Sequence, residues 1–450
     1  MPQFAVPAIA GAVGIASGTL GYAALSVVVN VAFTVATQAL VQSLQKPPKP
    51  ADRRESIRSE VAPRLVHFGR TLAGSSVVYD RAASKVRWQV HVHNHGEVQR
   101  LHKLLLNGEL RQILPTGEAR PDQRFKGNVY VEFHEGSTSQ QASQLMLFPD
   151  VRKNNAIAPD WTTAHRLRGL AYTVVRARTP SPENFNSIYV GGRPPVPTIE
   201  ADFGTPLDPR TGQRTFSDNA ALVTAWFLTH PLGMRLPESK IDWDWLKTAA
   251  NACDALGYKV GGSWSAIEPP KVALANFLAA MDGATWVGRD GRIRIEPGRY
   301  QAPDVKLTAD NAIIAVNSLS SGQEEGQGRT EQIVRFSDRT RDYSEVEETA
   351  AILDNAVVHE PDEYDLAYVH DKPQALKLGR RAFARAHATW RAELTTNLTG
   401  LKLMNKRFFE LHLPEFGVIN QDMELEGWRF DLATGQCQIA ARSVSAADFT

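Results

Sequence analysis

The sequence predicts a mainly β protein (α+β), with a small helical domain inserted among the strands and an N-terminal apolar helical arm ahead of them. Three observations predict it. Short stretches of alternating apolar and polar residues, broken by turn signals, fill residues 56–205 and return after 301. Between them, residues 206–300 place apolar side chains at three- and four-residue spacing. Residues 1–45 hold no charged side chain, although the 450-residue chain carries 50 Lys+Arg and 49 Asp+Glu.

The arm is rich in Ala, Val and Gly, and it is long enough to cross a bilayer core more than once as a helix. No cation precedes its apolar run, which argues against a secretory signal. Gly11, Gly14, Gly18 and Gly21 recur at helical spacing and would let a second helix approach closely. Two readings stay open: a membrane-inserted segment, and a buried helix pair packed through the glycine strip. Lys46-Pro-Pro-Lys-Pro50 begins a Pro-rich linker over 46–55, since consecutive prolines cannot continue a helix.

In residues 56–205, strands are expected at Val77–Tyr79, Val86–Val92, Leu104–Leu110 with an Asn107-Gly108 turn, Asn128–Phe133 and Leu167–Arg178. The Pro- and Gly-rich stretch that follows reads as loops with short strands at Ile188–Val190 and Val196–Ile199. Ser217, Asp218 and Asn219 are three good N-caps in a row, ahead of a helix through Trp226 and Leu228. Asp242 caps a second helix to Cys253. Val272 to Met281 forms a third, and a hairpin turns at Arg289-Asp290-Gly291. From 301 to 450 strand texture resumes around one long helix at about 374–393.

Charge balance leaves a formal net charge of +1, so nothing points to nucleic acid or an anionic membrane as the main partner. Cys253 and Cys437 are too few for a disulfide framework or a thiolate zinc site, and each fits a small core position. His91, His93 and His95 alternate along a predicted strand and are the candidate metal ligands; the competing reading is an exposed strand end, because Gly96 follows and no fourth ligand is spaced to close a site. Gly322 to Gly328 resembles a phosphate loop only in its glycines, and Glu324 and Glu325 would repel phosphate. Acidic pairs such as Asp242/Asp244 read as solvated faces. No catalytic template is matched, so no enzyme activity and no cofactor is expected.

One ordered set of segments carries further information. Pro159-Asp-Trp161-Thr-Thr precedes the turn Asp208-Pro209-Arg210-Thr-Gly212, then Ser217-Asp218-Asn219, a helix, Pro237 to Asp242, and Ala249 to Asp254. This order resembles the central tail hub, or tip attachment, proteins of long-tailed bacteriophages. The likeness spans roughly residues 60 to 440 and lies in the shared order rather than in any single motif. It implies tail-tube-like β-barrel domains in a homotrimeric ring at the distal end of the tail, made in the host cytoplasm and assembled into the virion. Implied partners are other tail-tip proteins, distal tail proteins and the tape measure protein, with the host membrane as a further partner for residues 1–45. The alternative is a β-rich envelope protein anchored by those residues. Independently of any family, Asp208, Pro209 and Gly212 are turn formers and Trp161 is an apolar anchor, residues that specify a fold rather than a reaction.

Overall fold

A computed structural model describes residues 64–449 except 115, 120–122, 289, 322–329 and 354–360. The apolar arm, the Pro-rich linker, Arg289 and the Gly322–Gly328 segment lie outside the described residues. What is described is mainly β, with a curled half-barrel sheet.

Two sheets build the N-terminal part. One has the order β2 (Ser76–Ala83), β3 (Val86–His95), β7 (Leu170–Arg178), β6 (Val129–His134). The other runs β11 (Gly262–Ser265), β1 (Leu65–Ala73), β8 (Pro197–Phe203), β4 (Val98–Leu106), β5 (Glu109–Leu110). Alternation along β7 decides its packing. Ala171, Val175 and Ala177 enter a core shared with Leu106, Ile199 and Phe203 of the second sheet. Tyr172 and Val174 point the other way and pack with Trp88, Val90 and Met146. That outer core is roofed by residues 144–167, an excursion that includes α1 (Gln144–Leu147). Asn107-Gly108 makes the expected turn, both residues at positive φ, between β4 and β5.

The short strand expected at Ile188–Val190 is instead the end of α2 (Pro182–Ile188) and a following 3-10 turn. Pro182 occupies its first turn, and Phe185, Ile188 and Tyr189 recur at helical spacing, so local helix chemistry outweighs the β-branched pair.

The next region holds α3 (Ala220–Thr229), α4 (Trp243–Leu256) and α5 (Pro270–Ala279), with two ribbons, β9 (Leu207–Asp208)/β10 (Gln213–Arg214) and β12 (Ala284–Val287)/β13 (Ile293–Glu296). These helices share one core with Phe68 of β1 and with a three-stranded sheet, β17 (Ser344–Ile352), β16 (Glu331–Asp338), β18 (Pro361–Asp365), backed by α6 (Lys372–Ala386). Cys253 is buried in this core, as a small apolar side chain would be. A six-stranded sheet completes the chain: β14 (Lys306–Thr308), β20 (Phe408–Leu413), β21 (Val418–Asp431), β22 (Gln436–Ser443), β19 (Trp390–Thr396), β15 (Ile313–Ser321).

The long helix ends at Ala386, not near 393. Trp390 continues its i, i+4 series in sequence, yet from Trp390 onward alternate residues are buried and pair with β22 and β15. A period of two wins over a single helical coincidence. Within α6, Gly379 lets the helix lie directly on the three-stranded sheet. A Cβ there would stand 2.4 Å from both Val334 Cγ1 and Ala350 Cβ. Gly379→Ala is therefore expected to destabilise the fold by about 1–3 kcal/mol despite its better helix propensity. Chemical denaturation would read the difference, and a stabilised variant would refute it.

Candidate functional site

Three of the segments that carry the tail-hub likeness, Asp208 to Gly212, Ser217 to Asn219 and Ala249 to Asp254, meet in space. Asp208 Oδ1 accepts from the Arg210 backbone N–H at 2.9 Å, closing the turn that Gly212 completes at φ 73°. Arg210 grips the Asp208 carboxylate, with its Nη2 at 2.8 Å. It also reaches across to Asp254 at 2.6 Å and Asn251 at 3.0 Å, at the end of α4. Asp254 in turn accepts from Asn219 Nδ2 at 2.7 Å. The Arg210 side chain holds the Asp208 carboxyl below its ordinary range.

Of the three candidate caps, Asn219 caps α3: its side-chain oxygen accepts from the backbone of Ala221 and Leu222. Ser217 supports it by accepting from Asn219 N at 3.1 Å, while Asp218 lies 3.5 Å from Lys259. Asn219 thus works at both ends of its amide, capping α3 and tying to α4 through Ala250 O and Asp254. Asn219→Asp keeps the cap but sets a second carboxylate against Asp254. It should cost about 1–2 kcal/mol even though Asp is a good N-cap. Equal stability of Asn219→Asp and wild type by urea denaturation would refute the two-ended role. Trp161 lies elsewhere, edge-on to Tyr79 at 5.3 Å over the outer core of the first sheet.

The three histidines part company. A register shift between Val92 and Asn94 breaks the alternation of β3. His91 and His93 are buried rather than exposed, and His95 sits half-buried at the strand end. His93 Nδ1 donates to Gly74 O at 2.8 Å, so its Nε2 accepts from Thr173 Oγ1 at 2.9 Å. His91 contacts Ser75 Oγ at 3.1 Å and Gln89 Oε1 at 3.4 Å. The ring nitrogens of His91 and His93 serve the fold, and among the described residues no three His, Cys, Asp or Glu side chains gather to hold a metal.

Burial lowers His93 to about 4. The unfolded chain, with an ordinary His near 6.5, then binds a proton that the folded chain refuses. Stability is full above about pH 6.5 and falls toward pH 4, by up to about 3 kcal/mol for this group. His93→Gln should flatten thermal stability across that window, and an unchanged slope would count against the buried neutral imidazole.

The densest electrostatic feature lies at the junction between α6, the end of α5 and the six-stranded sheet. Two buried carboxylates, Asp282 and Glu424, are held by Arg381 and Arg385 of α6, Arg407 before β20 and Arg442 of β22. Arg381 meets Glu424 at 2.7 Å and Asp282 at 3.4 Å; Arg407 meets them at 2.8 and 3.0 Å. Arg385 bridges the same two, lying 3.2 Å from Glu424. Arg442 adds Glu426 at 2.8 Å. The C-terminal turn closes the cluster with Asp448 3.8 Å from Arg381 and the Phe449 ring 3.8 Å from its guanidinium. Burial by itself would raise both carboxyls. The surrounding arginines, led by Arg385 and Arg407, outweigh it and hold Asp282 below, and Glu424 well below, the usual range.

No sequence reading singled out these residues. A signal existed for two of them: Arg381 and Arg385 prolong the buried stripe Ala375–Leu378 of α6, where charge is out of place unless paired. Asp242, read as a solvated acid, is buried; it caps α4 and pairs with Arg294 at 2.8 Å.

No family model matches the sequence, and no curated protein does. The fold is shared end to end with a chain in the virion of native gene transfer agent (GTA) particle, at 16% identity and TM-score 0.65, covering 97% of this chain and 98% of that one. Two tail proteins overlap at TM-score 0.32: the 43 kDa tail protein of prophage MuSo2 from Shewanella oneidensis, at 13% identity over 86% of this chain and 99% of that one, and a tail protein from Neisseria meningitidis, at 10% identity over 85% and 96%.

Proposed function

We propose that this chain is a structural hub of a phage-type tail tip. Three copies form a ring that closes the distal end of the tail tube, and its opening releases the tape measure protein and then DNA. The observation that carries this reading is the end-to-end likeness to a chain of a gene transfer agent virion, which leaves almost no part of either chain unmatched.

The chemistry agrees with a structural role. The clamp of Asp208, Arg210, Asn219 and Asp254 joins a turn to two helices, and the Asp282/Glu424 junction joins the helical core to the last sheet. Both spend their charged groups on one another. Residues 1–45 are assigned to the lumen before opening and to the host envelope after it.

Electron microscopy of purified particles, with this chain gold-labelled at its C-terminus, tests the reading. Label at the tube end on a threefold feature is the expected result. Label along the tube, or only in host membranes, would refute it, and the membrane outcome would favour the anchored envelope protein.

A further inference from the structure

The chain between Gly69 and Phe203 forms a body of its own. β1 changes partner within its length: Leu65–Phe68 pair with β11, and Gly69–Ala73 pair with β8. Val66 and Phe68, just before the change, lie in the core of the helices. Both cores of the N-terminal sheets draw only on residues from Ala73 to Phe203. Among the described residues no apolar core spans that boundary. Each body is held by its own apolar burial, and their junction is left to other contacts.

The chain crosses the boundary twice, and the crossings lie side by side. Gly69 of β1 is the register partner of Phe203 of β8, and Gly204 follows at once. Both glycines hold left-handed backbone, with φ 61° at Gly69 and 82° at Gly204. A Cβ at Gly69 would collide with the Val260 carbonyl, and one at Gly204 would stand 2.9 Å from the Trp226 ring. Two adjacent glycines are thus the covalent links between the bodies, positions able to absorb large backbone rotations.

Polar contacts close the junction. The β16–β17 turn sets Tyr343, 2% exposed, against the second sheet, where its hydroxyl donates to buried Glu200 at 3.1 Å. Lys103 of β4 bridges the bodies, 3.1 Å from Glu200 and 3.2 Å from Asp342. Thr71 Oγ1 and His370 Nε2 meet at 3.3 Å, and beside the crossings His67 N donates to Asn94 Oδ1 at 2.8 Å. The turn itself has a costly shape. Asp342 and Tyr343 both sit at positive φ, 51° and 61°, which a bulky side chain rarely adopts. Such strain persists where surrounding contacts enforce it, here the buried Tyr343–Glu200 pair.

We propose that residues 69–203 swing as one unit on the Gly69/Gly204 hinge, and that Tyr343, Glu200, Lys103 and Asp342 form the latch that holds them closed. Hinge and latch need only this chain. In the ring proposed above the swing is the opening movement, a step that rests on that reading.

Pulsed electron spin resonance on the full chain tests it. Cys253 and Cys437 are buried, so spin labels go to introduced thiols at exposed positions. Val151→Cys and Leu110→Cys mark the moving unit, and Asp244→Cys on α4 is the reference. Tyr343→Phe with Asp342→Gly removes the hydroxyl and one carboxylate, and Gly suits the positive φ. The unlatched chain should populate a second distance from Asp244 to the moving unit about tenfold more than wild type, the scale of a hydrogen bond to a charged group. The Val151–Leu110 distance should stay fixed. Lys103→Ala, at a part-exposed side chain, should act in the same direction without touching the turn. Unchanged distances to Asp244 in both variants, or a changed Val151–Leu110 distance, would overturn the hinge. Particles carrying the unlatched chain should shed DNA before they meet a host. Sealed particles despite the second distance would detach the hinge from opening, and particles without a threefold feature would remove the ring and leave the hinge.

Discussion

Glu424→Gln is expected to lower the unfolding free energy by about 3–5 kcal/mol, the cost of breaking a buried ionic group from one side. Gln keeps the volume and an acceptor oxygen, so the loss isolates the charge. Arg381, Arg385, Arg407 and Arg442 all lie within 3.4 Å of this carboxylate, and none can lose its proton to escape. Asp282 would then face three of them from the other side, with Asp448 reaching only Arg381. Denaturant titration reads the change, and a loss under 1 kcal/mol, the scale of an exposed pair, would mean that water reaches the cluster. The same residue sets the acid limit of the fold. Its folded pKa lies well below the ordinary value, so its contribution is complete above the unfolded pKa near 4.3 and disappears as pH falls toward the folded one. Wild type should therefore lose stability steeply below about pH 4, and the variant less steeply.

The junction also shows where the sequence stops being legible. Element type followed from local pattern: alternation gave β3 and β7, and helical spacing behind Asn219 and Asp242 gave α3 and α4. The clamp was half-visible, because Asp208, Arg210 and Asn219 stand in recognisable turn and cap positions, but their meeting at Asp254 depends on how α3 packs on α4. The junction was not visible. Its four arginines and two central carboxylates span 160 positions in sequence, from Asp282 to Arg442, and only Arg381 and Arg385, beside the buried stripe of α6, carry a local signal. The histidines failed for a different reason. A strand reading assumes unbroken alternation, and the shift beside His93 removes it.

Particles lacking residues 2–45 are expected to assemble complete tips and yet fail to deliver DNA. Those residues lie outside the described part of the chain, so the expectation stands on composition alone: 45 residues without a charge, joined to a body in which charge is abundant. As a helix the segment would be more than twice as long as the about 30 Å apolar core of a bilayer. On the ring proposed above an anchor would have little use, whereas an apolar plug that became a membrane-active segment on opening would serve both states. Two finer variants separate those roles. Gly14→Leu with Gly18→Leu would spoil close helix approach and should leave the lumen poorly closed, seen as DNA lost from particles before they meet a host. Val28→Arg puts a charge amid the apolar run, costing about 2.5–3.5 kcal/mol at a bilayer centre; particles should stay sealed but deliver poorly. Full infectivity of the deletion particles would remove residues 1–45 from the mechanism. Normal delivery by Val28→Arg particles alone would confine the arm to the plug.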